Sequence, residues 1–128
     1  MSENHGAAAM IIAKRSVLRD GLRALVAAMP QLKAVHEADD LTSALKLSEP
    51  QPALVMLDLP ARRNGEDAWL TVRRAKARWP QARCIFLAND VKQQEEAKAA
   101  GADVVLLEGF PPEKLVAAIV KLLPCPVV

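Results

Sequence analysis

Few residues in this chain are placed to do chemistry, and the most prominent is an acid. Asp58 stands near the end of the apolar run Ala53 to Leu59 and is its only charged residue. A carboxylate at the end of a buried strand can accept a group, hold a cation or pair with a base. Another apolar run, Ala8 to Ala13, is closed by two bases, Lys14 and Arg15. A hard dication takes oxygen ligands, and two cations would repel it. A guanidinium beside a carboxylate instead forms a charge-assisted pair. We expect Lys14 or Arg15 to pair with Asp58. The plainer alternative sends both side chains to solvent and leaves Asp58 without a partner.

Other chemistry has little support. His5 and His36 are isolated, with no second ligand at metal spacing. Cys84 and Cys125 lie far apart, without a CxxC, and Cys84 reads as a small buried hydrophobe within a strand. The chain has no glycine-rich phosphate loop, no GxSxG elbow and no Ser-His-Asp spacing. No metal and no cofactor is expected. Trp69, Trp79, Phe86 and Phe110 are the only aromatics. They are too few for a base-stacking platform, and Trp69 and Trp79 read as the core and rim of one helix.

These residues must be held by a scaffold, and the chain is long enough for one domain. Of its 128 residues 52% are apolar, sufficient for a core without staples. A net charge of +2 is too balanced to imply nucleic acid. There is one local excess between Pro60 and Arg83, where Arg62, Arg63, Arg73, Arg74, Lys76, Arg78 and Arg83 face only Glu66 and Asp67. It reads as a solvated helix face, or more sharply as a docking surface for an acidic partner or nucleic acid. The start lacks the pattern of a signal peptide and no run is long enough to span a membrane, so a cytoplasmic location is expected.

Five apolar runs alternate with five helical patterns. The strands are expected at 8–13, 32–37, 53–59, 83–88 and 104–107. The first helix carries Leu18, Leu22, Leu25, Val26 and Met29. The second is capped by Asp39 or Asp40 and reaches towards Pro50. The third starts at Glu66 and Asp67 and buries Trp69, Val72 and Ala75. The fourth runs from a cap at Asn89 or Asp90 to a left-handed C-cap at Gly101. The fifth opens at Pro111 and Pro112 and ends before Pro124. Strict alternation with short connections implies a doubly wound three-layer α/β sandwich on a five-stranded parallel sheet. Right-handed crossovers put residues 14–16, 58–64, 88–90 and 108–111 on one edge. Residues 1–7 are expected to be a disordered tail, 8–123 the domain, and 124–128 an apolar tail.

Several strings resemble the receiver (CheY-like) domains of bacterial response regulators, closest to the LuxR/NarL-type subgroup. They are Val17-Leu18-Arg19-Asp20-Gly21-Leu22-Arg23-Ala24-Leu25, Leu57-Asp58-Leu59, and Ala99-Ala100-Gly101-Ala102-Asp103 before an apolar strand. The resemblance covers residues 9–123 and implies a flavodoxin-like fold and a role in two-component signal transduction. It makes Asp58 the phosphoacceptor equivalent. The rest of the switch departs from the family pattern. Lys14 and Arg15 stand where two acids would hold Mg²⁺, Ala88 where a Ser or Thr would bond the phosphoryl group, and Glu108 where a Lys would contact it. Phosphoryl transfer needs positive charge on the transferring oxygens, so no Mg²⁺ binding is expected. The resemblance therefore implies a degenerate pseudo-receiver, not an enzyme, that works through phosphorylation-independent protein contacts. The alternatives are a phosphoaccepting receiver with a metal-poor site and a binder using the Arg-rich third helix. DNA would be met only through a separate output domain.

The last helix carries one stripe of Leu115, Ile119 and Leu122 and a second of Val116, Val120 and Leu123. One stripe covers a sheet; the second is expected at a self-association or partner interface.

Overall fold

The computed structural model describes residues 7–46, 51–58 and 68–123. The elements follow in the order β1 (Ala7–Ala13), α1 (Val17–Ala27), β2 (Leu32–Ala38), α2 (Leu41–Leu45), β3 (Leu54–Asp58), α3 (Ala68–Arg78), β4 (Arg83–Ala88), α4 (Val91–Ala100), β5 (Val104–Leu107) and α5 (Pro112–Leu122). The five strands form one sheet in the order β2-β1-β3-β4-β5, and every pairing is parallel. This is the doubly wound α/β fold that the alternating pattern implies.

Strand alternation divides the core. Met10, Ile12, Val55, Leu57, Cys84 and Phe86 face one side, packed under α2, α3 and α4. Ala9, Ile11, Leu54, Met56, Ile85 and Leu87 face the other, under α1 and α5. Asp58 has the parity of Leu54 and Met56, so the pleat turns it towards the α1 and α5 side.

The helix starts use local side-chain caps. Ser16 accepts the N–H of Arg19, Asp40 that of Ser43, and Asp90 that of Gln93. Gly101 ends α4 at φ 109°, a left-handed conformation that strains any L side chain. Just beyond it, the Asp103 carboxylate accepts the Cys84 N–H at 2.7 Å and pairs with Lys76 at 3.2 Å, fixing the start of β5 against β4.

Three expectations about packing need correction. Trp79, not Trp69, is the core tryptophan: Trp79 is 2% exposed and Trp69 43%. The buried stripe of α3 is Ala68, Thr71, Val72 and Ala75, and Trp69 lies off it, where Arg73 stacks over its ring at 5.2 Å. On α1, Leu18 is exposed while Arg19 shares the buried stripe with Leu22 and Val26. On α5, the second stripe is not a uniform free surface. Val116 and Leu123 pack against the α1 and α5 side of the core, and Val120 alone of the three is exposed, at 44%. Leu123 is the C-cap of α5, and its non-helical φ of −130° turns its side chain off the stripe of Val116 and Val120. The expected start of α3 at Glu66, residues 1–6 and 124–128 of the two tails, and the end of α2 beyond Lys46 fall outside the described residues, whereas Ala7, expected in the N-terminal tail, begins β1 and pairs with Leu32.

Candidate functional site

The parallel sheet brings the C-terminal ends of β1, β3, β4 and β5 to one edge. Ala13 pairs in register with Asp58, Asp58 with Leu87, and Ala88 with Leu107. The Glu108 N–H donates to the Ala88 carbonyl at 2.8 Å and extends this ladder by one residue. A tight turn follows, closed by the Phe110 N–H on the Leu107 carbonyl at 3.1 Å. Gly109 takes φ 92° at its third position, where a side chain would be strained. The sheet and this turn thus gather Asp58, Ala88 and Glu108 at one place.

They line one end of a cavity of about 600 Å³ between α1 and α5. Its walls are Leu18, Leu22 and Leu25 from α1, and Phe110 and Leu115 from the opposite side. Burial raises the Asp58 pKa above its ordinary value, and the Glu108 carboxylate adds to the rise. Both effects disfavour a second negative charge at this end of the cavity.

The bases do not answer that charge as expected. Arg15 Nε lies 3.7 Å from Asp39 Oδ1, and its side chain is largely in solvent. Lys14 is exposed and has no ion pair with Asp58 among the described residues. The expected pairing of Lys14 or Arg15 with Asp58 is therefore not formed there. Strand order explains why. β1 lies between β2 and β3, so a base after β1 can turn to either neighbour. Two acids stand at the end of β2, Glu37 within it and Asp39 one residue beyond, the second of them mostly exposed. Pairing there requires little loss of hydration, whereas pairing with part-buried Asp58 requires more.

The residue that sequence reasoning missed is Arg19. It is 8% exposed and sits on the buried stripe of α1. Its Nη1 donates to the Ala13 carbonyl and to Asp39 Oδ1, both at 2.8 Å. Its Nε lies 3.1 Å from Glu37 Oε1 without being aimed for a hydrogen bond, so that contact is an ion pair only. Arg23 also pairs with Glu37. Glu37 and Asp39 have the parity of Val35, which packs on the α1 side. The available signal was an arginine three residues before Leu22 and seven before Val26, on the apolar stripe, with two acids at the end of the neighbouring strand.

These residues do not fit a Mg²⁺ site of the receiver kind. Among the described residues, no group of three or more His, Cys, Asp or Glu is arranged to hold a metal. The donors at the cavity are two carboxylates, and bases occupy the positions after β1. Ala88 has no side-chain donor for a phosphoryl oxygen, and Glu108 would repel one. Cys84 offers no nucleophile, since burial pushes its thiol up to about 12. His36 is not brought to this edge; it lies within β2, paired in register with Met10. His5 and the bases Arg62 and Arg63 lie outside the described residues. Among the described residues no helix is long and apolar enough to cross a membrane.

Comparison with solved structures defines the class. A LuxR-family two-component response regulator from Aurantimonas sp. SI85-9A1 superposes with a TM-score of 0.77 at 26% identity, over 93% of this chain and 86% of that one. A response regulator from Thermotoga maritima gives 0.76 at 18% identity, over 94% and 100%. A LuxR-family DNA-binding response regulator from Silicibacter pomeroyi gives 0.75 at 21%, over 91% of each. No family model and no curated protein matches the chain. The chain has the CheY-like fold of these response regulators. The likeness to these response regulators supports signal transduction as its general field.

Proposed function

We propose that this domain is a pseudo-receiver that signals through protein contacts, without phosphoryl transfer to Asp58. The observation that carries the reading is the placement of charge. Arg15 and Arg19 are drawn to Asp39 and Glu37, while Asp58 keeps Glu108 beside it. A phosphoryl group on Asp58 would add negative charge next to a carboxylate, with Ala88 unable to donate a hydrogen bond. The protein contact is proposed at α5, where Val120 is exposed and Val116 half-buried. Self-association or a foreign partner would use that patch, in the cytoplasm, with DNA reached only through a separate output domain. The test is exposure to acetyl phosphate with millimolar Mg²⁺, followed by intact-mass measurement. The protein should gain no phosphoryl mass.

The Arg-rich third helix keeps a second reading open through one specific feature. Trp69 and Leu70 are exposed, and Arg73 stacks on Trp69, which gives α3 a mixed apolar and basic surface. An acidic protein partner there would bind less tightly as salt is raised.

A further inference from the structure

The cavity beside Asp58 has features that the signalling reading does not use. Its volume of about 600 Å³ lies in the range of small-molecule pockets. Its body is apolar, walled by Leu22, Leu25, Phe110 and Leu115. Its polar end holds two acids, Asp58 and Glu108, and neither forms an ion pair with a base among the described residues. The nearest arginines of α1 are engaged by Glu37 and Asp39, at the end of β2. The charge that complements the cavity is positive, and the body that fills it is apolar. A bare dication would find only two carboxylates there, too few to replace its oxygen shell, and would leave the walls wet. A lone lysine side chain from a partner would leave most of the volume empty.

We propose that the cavity between α1 and α5 binds a small amphipathic amine, with its ammonium group between Asp58 and Glu108 and its apolar body against Leu22, Leu25 and Phe110. The ammonium replaces water on two carboxylates with charge-assisted hydrogen bonds. The apolar body removes leucine and phenylalanine surface from water. Neutralising the two acids also removes the repulsion between them, so bound amine stabilises the fold. The site stands whether or not Asp58 accepts a phosphoryl group, and its test does not involve phosphate.

The probe is 2-phenylethylamine, titrated into the ¹⁵N-labelled full chain at low ionic strength, with 2-phenylethanol and Mg²⁺ as separate controls. Saturable shifts at residues 18–25, 58, 88 and 108–110 are expected with the amine. The alcohol should bind about tenfold or more weakly, one charge-assisted contact being worth at least that factor. Asp58→Asn with Glu108→Gln should weaken the amine by a similar factor while the spectrum stays folded. If the double variant unfolds, Glu108→Gln alone carries the same comparison. Equal affinity for amine and alcohol would overturn the proposal. So would shifts that map elsewhere, or a lysine-containing peptide that occupies the site when the amine does not.

Discussion

Arg19 Nη1 lies 2.8 Å from Asp39 Oδ1, and this pair determines where positive charge is held at the C-terminal edge of the sheet. The same nitrogen holds the last carbonyl of β1, at Ala13. Arg19 therefore joins α1, β1 and the end of β2 on the side of the site away from Asp58.

Removing that guanidinium should be felt in stability. Arg19→Met leaves the Ala13 carbonyl without its donor and Glu37 and Asp39 without their inner cation. We expect a loss of about 2 kcal/mol, since the arginine is buried but Asp39 reaches water. Urea unfolding measures it. An unchanged midpoint would mean that Arg23 and Arg15 suffice for the two acids.

Asp58 should behave in the opposite way. Its carboxylate is part-buried beside Glu108, so Asp58→Asn should stabilise the domain at neutral pH. The gain is about 0.5 kcal/mol, kept small because water still screens the group. The sign with pH follows from a folded pKa raised above the ordinary 3.8. Below 3.8 both states carry the proton and Asp58 imposes no penalty. As pH rises through the raised folded value, the charged form is disfavoured in the folded state and stability is lost. The Asn variant should lack that part of the decline in a series of unfolding curves from pH 3 to 7. Destabilisation by Asp58→Asn would show that a base does pair with the acid.

The two tryptophans give a sharp contrast. Trp79→Ala empties a site within the core under α3 and should cost about 3–5 kcal/mol. Trp69→Ala removes an exposed ring and one cation–π contact, and should cost about 1 kcal/mol or less. Thermal unfolding of the pair checks the assignment, and a reversed order would contradict it.

Much of the scaffold was legible in the sequence. β4 and β5 fall at their expected residues, and Asp90, Gly101 and Pro112 act at the helix ends as their chemistry requires. Buried parallel strands leave continuous apolar runs, and caps leave local signatures. The failures came where spacing alone cannot choose. Trp69 and Trp79 are both aromatic and near α3, and only the stripe through Thr71 and Val72 decides which is core. Leu18 looked apolar and Arg19 polar, yet the acids at the end of β2 draw Arg19 inward. The direction of Arg15 depended on competition between Asp39 and Asp58, which sit on opposite sides of β1. The cavity depends on the separation of α1 and α5, which no local pattern encodes.

On α5 the exposed large apolar residue is Val120. Val120→Glu should leave the unfolding midpoint within about 0.5 kcal/mol of the parent. If this face mediates self-association, the variant should sediment as a smaller species than the wild type across a concentration series. A wild type that stays monomeric at high concentration excludes self-association, and a variant that unfolds would make Val120 a core residue.

Intact mass after incubation with acetyl phosphate and Mg²⁺ reads phosphoryl transfer to Asp58 directly. With Arg15 and Arg19 held by Asp39 and Glu37, and Glu108 beside Asp58, the wild type should gain no phosphoryl mass. A phosphoryl adduct on the wild type that is lost in Asp58→Asn would contradict the pseudo-receiver reading.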